Sequence, residues 1–527
     1  MRDLTNGLFK FPSKEERVAA RAGAPLNPFK LAAMLTPMQG AMFFSGWLAW
    51  TMDAWDFFSL SLSVTAIATE FHKEASDVTL AITLTLLFRS AGAAIFGLIS
   101  DRYGRKWPLV ANLVIIAVLS LGTGFVHSFS AFLAVRCLFG IGMGGIWGMA
   151  TATALENMPP APRGLFSGIL QQGYAVGYLF AASANLAWIQ KSGNWRDLFY
   201  LGAGLSLFAA IVRMLLPESE LFRRQQEARR ASGKEHTNKA KQFAIETGHM
   251  LKTNWGRVIF GILLMTGFNF LSHSSQDLYP TIIQNTLSNL PLSKAKELSS
   301  KATIIGNCGA IAGGFLAGYI SQYLGRRLTI IVFVVFTGAM IAPWILPTTF
   351  PGLAAGAFFV QFGVQGAWGV VPIYLSEISP PAFRATFPGV AYQVGNMVSS
   401  ASSQIEATGG EHNRIPNPRF GQPGAGDAGK NPTIPDYAKV SGILLGVVCA
   451  YLILVVIFGK EYRGAAFEKA PLATEAHAGE INPDELKGPE SSEHVGDVRQ
   501  QADDASSDEK VSDKGDGQYN ADALNKA

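Results

Sequence analysis

The sequence is poor in charge and in cysteine. Only 16% of its 527 residues are charged while 49% are hydrophobic, a balance too apolar for an ordinary soluble enzyme. The 3 cysteines lie far apart in apolar segments, so we expect neither a disulfide framework nor a cysteine metal site. These shortages predict an integral membrane protein.

The motifs of catalysis are also missing. The sequence has no nucleophile–base pair, no metal-ligand cluster and no phosphate loop, so we expect no enzyme activity and neither cofactor, metal nor nucleic acid as a partner. The glycine-rich run after Arg136 follows no strand and is expected to pack helices. Because no charged-then-apolar signal peptide precedes it, the first apolar segment is expected to act as the insertion signal.

Apolar segments long enough to cross a bilayer, which needs about 20 residues, occur twelve times. They extend over approximately 40–62, 77–99, 107–126, 130–152, 164–187, 195–216, 257–284, 299–321, 327–346, 351–374, 384–405 and 439–459. The sequence therefore predicts an all-α membrane protein with twelve transmembrane helices. An even number places both ends on one side of the membrane.

Basic residues are concentrated in the short loops after segments 2, 4, 8 and 10 and in the long loop between segments 6 and 7. By the positive-inside rule, both termini and the middle loop are expected in the cytoplasm. The region 406–438, rich in Gly, Pro and Asn, is expected to be an irregular external loop. From Lys460 onward there are 16 acidic and 8 basic residues and few aromatics, which predicts disorder.

The chain repeats itself with an offset of 221 residues. The loop Gly97–Lys106 recurs as Gly318–Arg327. Further matches in this register are Trp147 with Trp368, Glu156 with Glu377, Arg163 with Arg384 and Gln172 with Gln393. The repeat predicts two parallel six-helix halves with a binding site between them, near the membrane midplane.

Five domains follow from these patterns. They are a flexible cytoplasmic N-terminal tail (1–38), an N-terminal six-helix half (39–216), a cytoplasmic middle loop (217–256), a C-terminal six-helix half (257–459) and a disordered acidic cytoplasmic tail (460–527).

The repeated loop has the pattern Gly97-x-x-x-Asp101-Arg-x-Gly-Arg-Lys106. It resembles the signature of the major facilitator superfamily. Asp101 can pair with arginines or with a helix N-terminus across the half and so latch the cytoplasmic face, or these charges only orient the protein. Gln322 replaces the acid in the second half, so a weaker latch is expected there. The expected gating residues are Asp101, Arg102, Arg105, Glu156, Arg163, Arg326, Glu377 and Arg384.

One stretch inside the seventh segment is crowded with polar side chains. On a helix they form one stripe about two turns long, consisting of Asn269, Ser272, His273, Gln276 and Asp277. A His and an Asp within the membrane must face water or protein, which makes them functional candidates, and one turn apart they can share a proton. The alternative is a polar patch that only joins two helices. Pro280 cannot donate to the carbonyl of Gln276, so the helix should bend or break there.

Arg136 lies well inside the fourth segment. A guanidinium stays charged and pairs bidentately with carboxylates, so Arg136 at a cavity would select anions. The alternative is a structural ion pair with Asp53 or Asp56 of the first segment. Arg89 is expected to serve helix packing or gating.

The stretch Asn269-x-x-Ser-His-x-Ser-Gln-Asp-x-x-x-Thr281 resembles, at every defined position, the signature of the fungal Jen-type carboxylate:proton symporters, in the sialate:proton symporter branch of that superfamily. Gln393-Val-Gly-Asn396 resembles the same family's Gln-x-Gly-Asn segment. The resemblance covers about residues 40–460. It implies proton-coupled uptake of lactate, pyruvate or acetate across the plasma membrane. The implied substrate-binding residues are Arg136, Asn269, Ser272, His273, Gln276, Gln393 and Asn396.

The predicted function is therefore a secondary active transporter that carries a small carboxylate anion with a proton by alternating access. We expect a functional monomer in the lipid bilayer. The candidate proton carriers are His273, Asp277, Asp53 and Asp56. The alternatives are a permease for dicarboxylates or sialic acid, and a carboxylate receptor that signals without transport.

Overall fold

The computed structural model describes residues 27–73, 75–189, 192–231, 239–421, 431–462, 467, 473, 475 and 477–480. The predicted N-terminal tail before residue 27 and most of the predicted acidic tail lie outside these residues.

Helices form nearly all of the first half. They are α1 (Pro28–Ala32), α2 (Pro37–Glu70), α3 (Ala75–Tyr103), α4 (Lys106–Phe125), α5 (Phe129–Gly144), α6 (Ile146–Leu155), α7 (Arg163–Ala184) and α8 (Arg196–Leu215). Helix α2 starts at a capping box in which the Thr36 hydroxyl accepts from the Gln39 amide and the Gln39 side chain accepts from the Thr36 amide. Pro37, in the first turn, needs no amide hydrogen there.

The second half has the same plan. Its helices are α11 (Trp255–Gln276), α12 (Tyr279–Thr286), α13 (Leu292–Leu324), α14 (Arg326–Ala339), α15 (Ile341–Ile345), α16 (Phe350–Ile378), α17 (Thr386–Ser399), α18 (Ser402–His412) and α19 (Tyr437–Phe458). Eight helices in the described part of the chain are long and apolar enough to cross a membrane. The other four predicted segments are also helical, in α2, α7, α14 with α15, and α17 with α18.

Two regions expected to be loops contain regular structure. The middle loop holds helices α9 (Glu220–Ala231) and α10 (Lys239–Thr253), because it is rich in Glu, Lys, Arg, Gln and Ala, which are all strong helix formers. The expected irregular loop 406–438 begins inside α18 and continues as a hairpin of β1 (Arg414–Pro416) with β2 (Thr433–Pro435). Arg419, beyond β1, donates to the carbonyl oxygens of Leu287 and Leu290 at 3.0 and 2.7 Å, which ties this loop to the end of α12.

Glycines allow the helices to cross closely within each half and between the halves. A Cβ added at Gly92 of α3 would overlap the carbonyl of Ile141 in α5. The repeat-related Gly313 of α13 meets the carbonyl of Phe362 in α16 in the same way. Between the halves, Gly168 of α7 packs directly on Gly314. Small residues at such crossings are typical of transmembrane packing.

Candidate functional site

The last turn of α11 carries an imidazole–carboxylate pair. His273 Nδ1 lies 3.1 and 3.4 Å from the two carboxylate oxygens of Asp277. The helix ends at Gln276 and α12 begins at Tyr279, so the predicted break before Pro280 is found. Asp277 therefore lies at a helix end, with 30% of its side chain exposed.

The other side of His273 faces α17. His273 Nε2 lies 3.3 Å from Asn396 Oδ1, so both ring nitrogens face acceptor oxygens. Only a doubly protonated imidazole donates to both. The Asn396 amide donates to Gln393 Oε1 at 3.4 Å, and Gln393 Nε2 is buried without an acceptor among the described residues. The two segments singled out in the sequence thus meet and offer a cation next to a free amide donor.

The remaining stripe residues point in different directions. Asn269 Nδ2 donates to the carbonyl one turn earlier at 2.8 Å and lies 3.4 Å from the carbonyl of Tyr392. Gln276 donates to Gln361 Oε1 of α16 at 3.0 Å. Ser272 is half-buried on the same helix. The stripe therefore contacts both α16 and α17.

A small pocket of about 10 Å³, room for roughly one water molecule, lies between the halves beside this stripe. Aromatic side chains of the first half and amides of the second line it, namely Phe58, Tyr174, Tyr178, Gln276, Asn307, Gln361 and Gln365. Asn307, Gln361 and Gln365 are not among the residues predicted from the sequence, although amides inside apolar segments are a visible signal. Aromatic rings with a few hydrogen-bonding groups are typical of sites for small organic molecules, but the halves must move apart before this pocket can admit one.

Tyr392 brings repeat-related residues together. Its ring centre lies 4.9 Å from that of Trp147 and 5.7 Å from that of Trp368, two residues that the repeat equates. Trp50 of α2 completes the cluster at 6.2 Å. The two halves therefore share an aromatic core around one side chain of α17.

Arg89 is the arginine nearer to the pocket. Its Nη2 lies 2.9 Å from Asp53 Oδ2, and both side chains are almost fully buried. Arg89 also interacts electrostatically with Tyr174, which lines the pocket. Asp53 thus pairs with Arg89, which leaves Asp56 as the acid next to Arg136 among the two considered from the sequence.

Arg136 lies inside the first half. Its guanidinium carbon is 4.0 Å from the ring centre of Phe139, and its three side-chain nitrogens have no hydrogen-bond partner in the described part of the chain. Asp56 interacts with it electrostatically while accepting hydrogen bonds from Ser120 and Ser206 at 2.9 and 3.0 Å. Its neighbours Phe139, Phe199 and Asp56 all belong to the first half, so this face of α5 packs into the interior of that half and away from the α11 stripe.

The end of the molecule that carries the two repeated loops has a latch in each half. We call it the basic face and define it by Arg105, Arg163, Arg326 and Arg384. Arg105 donates to both carboxylate oxygens of Glu156 at 3.1 and 2.8 Å and lies 3.0 Å from Asp101. Burial lowers the pKa of Arg105, but Glu156 and Asp101 raise it further, to above its usual range.

Asp101 also joins the two halves. Its carboxylate accepts from the backbone amides of Ala385 and Thr386 at 3.1 and 2.9 Å, where α17 begins. The Thr386 hydroxyl donates to it as well, at 2.6 Å. A carboxylate at a helix N-terminus is stabilised by the free amides and the helix dipole. The sequence predicted this kind of contact for Asp101.

The second half repeats the Arg–Glu ion pair but has no counterpart of Asp101. Arg326 donates to both oxygens of Glu377 at 3.0 Å. Gln322, which stands where the first half has Asp101, accepts from Arg326 at 3.1 Å. Its neutral amide adds no charge to this latch.

Two acids that were not predicted as site residues bind the backbone amides of the repeated loops. Glu218 accepts from the backbone amides of Arg105 and Lys106 at 2.9 and 3.0 Å. Glu461 accepts from those of Arg326 and Arg327 at 2.9 and 3.1 Å. Each acid follows the last helix of its half, and the repeat offset of 221 does not align them.

Arg163 and Arg384 both contact Phe467, a residue that follows α19. Their guanidinium carbons lie 3.9 and 4.1 Å from the ring centre of Phe467, and Arg384 donates to its carbonyl at 3.1 Å. The Arg102 guanidinium carbon lies 4.7 Å from the ring centre of Tyr103. Within the described residues, no group of three or more His, Cys, Asp or Glu side chains could hold a metal ion.

Residues 41–403 match the sequence profile of the Major Facilitator Superfamily. The chain belongs to this family. The carboxylic acid transporter protein homolog of Saccharomyces cerevisiae is 33% identical over 83% of this chain and 70% of its own. The cis,cis-muconate transport protein of Acinetobacter baylyi is 28% identical over 70% of this chain and 87% of its own.

A solved structure supports the same fold. A double-tryptophan variant of XylE, a transporter of Escherichia coli, matches with a TM-score of 0.62 over 82% of this chain and 98% of its own, at 17% identity. The predicted fold class and the resemblance to carboxylate carriers of this superfamily are confirmed. The protein is a multi-pass membrane protein of a transporter family and not an enzyme.

Proposed function

We propose that the protein imports short monocarboxylates, such as lactate, pyruvate or acetate, together with a proton across the plasma membrane. The observation that carries this proposal is the position of His273 between Asp277 and Asn396, one turn before Gln276, which lines the pocket. An imidazolium held in this way can bind a carboxylate, and its affinity depends on a proton. The names of the yeast and Acinetobacter relatives, which refer to carboxylic acids, support an anionic substrate.

The pocket and the neighbouring α11–α17 contact supply groups for both ends of such a substrate. The free Gln393 amide can donate to one carboxylate oxygen, and His273 Nε2 can donate to the other when the substrate displaces Asn396 Oδ1, with Asn269 and Gln276 nearby. The rings of Phe58, Tyr174 and Tyr178 contact the apolar part. In the first half, Asp53 and Asp56 are further candidates for proton coupling, because protonation of either acid would leave Arg89 or Arg136 with an uncompensated positive charge.

The orientation follows from charge. By the positive-inside rule, the basic face and both termini lie in the cytoplasm. The protein acts as a monomer. The halves touch at the basic face through Asp101, while Asp277 at the other end of α11 is partly exposed. Asp277 accordingly lies toward the outside, and substrate release into the cytoplasm requires the Asp101 contact to separate.

The test is uptake of radiolabelled lactate by cells that lack their own carboxylate carriers. Uptake is measured at acid and neutral external pH, with and without a protonophore. If one monoanion moves with one proton, no net charge crosses, and the accumulation ratio should change about tenfold per unit of pH difference. Saturable uptake that collapses with the protonophore supports the proposal.

Competition then defines the substrate. Pyruvate and acetate should compete with lactate, whereas succinate, muconate and sialate should not. Strong competition by the latter group identifies a dicarboxylate or sialate permease. Lactate binding without uptake, in protein shown to be at the surface, rejects transport in favour of a receptor.

A further inference from the structure

Helix α18 buries a carboxylate that no predicted role accounts for. Glu406 has no exposed surface, and neither of its carboxylate oxygens has a hydrogen-bond partner among the described residues. It lies in the region expected to be an external loop, where an acid would be solvated. Its burial follows from the packing of α18 against α11, α19 and β2.

The surroundings of Glu406 link it to the His273–Asp277 pair. From α11, both Asp277 and His273 interact with it electrostatically. Asp277 Oδ2 accepts from the Ser403 hydroxyl at 2.5 Å, and Ser403 is one helical turn before Glu406. From α19 the Ser441 hydroxyl faces it, and β2 carries no titratable side chain.

The other charged groups of these elements point elsewhere. Lys439 donates to Asn413, and Tyr437 interacts with Glu411 and Arg414. Glu406 thus has one acid and one imidazole as ionisable neighbours, and the imidazole is hydrogen-bonded to that acid. A buried ionised carboxylate that faces a single hydroxyl and forms no ion pair is disfavoured, so Glu406 holds a proton in this conformation.

We propose that Glu406 binds the coupled proton, while His273 with Asp277 binds the substrate carboxylate. This inference rests on the proposed proton symport. The Glu406 carboxylic acid transfers its proton to water that enters between it and Asp277, and the carboxylate takes up a proton from a hydronium ion that arrives by the same path. The proton therefore leaves as a hydronium ion, and the carboxylate remains on Glu406.

The test separates exchange from net transport. Purified protein in lipid vesicles is assayed for accumulation of radiolabelled lactate driven by a pH difference, and for lactate exchange at equal lactate and pH on both sides. Exchange requires no net proton movement. Glu406→Gln should keep exchange within about twofold of the unsubstituted protein but lose the tenfold dependence of accumulation on each pH unit.

Two further variants identify the role of the acid. Glu406→Asp keeps a carboxyl group and should retain accumulation with a shifted pH profile. Glu411→Gln, on the exposed side of the same helix, should behave like the unsubstituted protein in both assays. The amount of each variant incorporated into the vesicles is checked by extraction followed by size-exclusion chromatography.

The outcomes are distinguishable. Absence of pH-driven accumulation in the unsubstituted protein contradicts the proposed function itself. If the unsubstituted protein accumulates lactate and Glu406→Gln does so with the same pH dependence, Glu406 is not the proton site. Loss of exchange as well as accumulation in both Glu406→Gln and Glu406→Asp shows a structural role and overturns the inference.

Discussion

His273 combines a predicted position with an environment that only the fold supplies. The sequence places it one turn before Asp277, but Asn396 comes from a helix more than a hundred residues away. Because each ring nitrogen faces an acceptor oxygen, the site stabilises the charged, doubly protonated imidazole. We therefore assign His273 to carboxylate binding more than to proton release.

Replacement of His273 by glutamine should weaken binding without unfolding the protein. Gln keeps a donor but loses the positive charge, and a hydrogen bond to a charged group contributes about 1.5–3 kcal/mol, so kcat/KM for lactate should fall at least about tenfold. Exchange and pH-driven accumulation should fall together. The control is His412→Gln, an exposed histidine on α18.

An unchanged kcat/KM in His273→Gln would remove His273 from the substrate site. A loss confined to accumulation, with exchange intact, would instead give His273 the role that we assign to Glu406.

At the scale of elements, the sequence predicts the helix ends that depend only on residues nearby in the chain. The break between α11 and α12 was predictable because a single proline decides it. The end of α18 beyond residue 405 and the β1–β2 hairpin were not, since a Gly-rich and polar stretch reads as loop and the strands are only three residues each. Glu406 was missed for the same reason.

The glycine crossings give a prediction for element packing. Gly313→Ala should lower the free energy of unfolding by about 1–3 kcal/mol, because the new methyl group meets the carbonyl of Phe362. The repeat-related Gly92→Ala should act in the same direction. Thermal unfolding in detergent, followed by size-exclusion chromatography, measures the effect.

The matched control is Gly338→Ala in α14, where an added Cβ meets nothing within 4 Å. It should be neutral or slightly stabilising, since Ala has the higher helix propensity. Equal stability of Gly313→Ala and Gly338→Ala would show that the α13–α16 crossing is looser than the structure indicates.

At the scale of the molecule, the repeat predicts equivalent residues but not all of their partners. Glu156 and Glu377 form equivalent ion pairs, with Arg105 and Arg326 of the repeated loop in the same half. Arg163 and Arg384 meet at Phe467, which has no counterpart in the repeat. Three-dimensional packing decides such contacts, and a motif at one position cannot encode them.

Two contacts between the halves should control the conformational equilibrium. Asp101→Asn weakens the charge-assisted bonds to α17, and Gly168→Ala places a methyl group against the carbonyl of Gly314. Each change destabilises the closed basic face and leaves the pocket residues intact. The ratio of open to closed basic face should rise on the order of tenfold for Asp101→Asn, since hydrogen bonds to charged groups are worth about 1.5–3 kcal/mol.

Distances between spin labels at Tyr103→Cys and Lys460→Cys report this ratio, because both positions are exposed on the basic face, one in each half. The three native cysteines are first replaced by serine. Gly204→Ala, where a Cβ meets nothing within 4 Å, should leave the distances unchanged. Because Asp101 and Gly168 act on the same two states at separate points, their effects should add in free energy. Distances in Asp101→Asn identical to those of the unsubstituted protein would mean that the α17 contact does not hold the halves together.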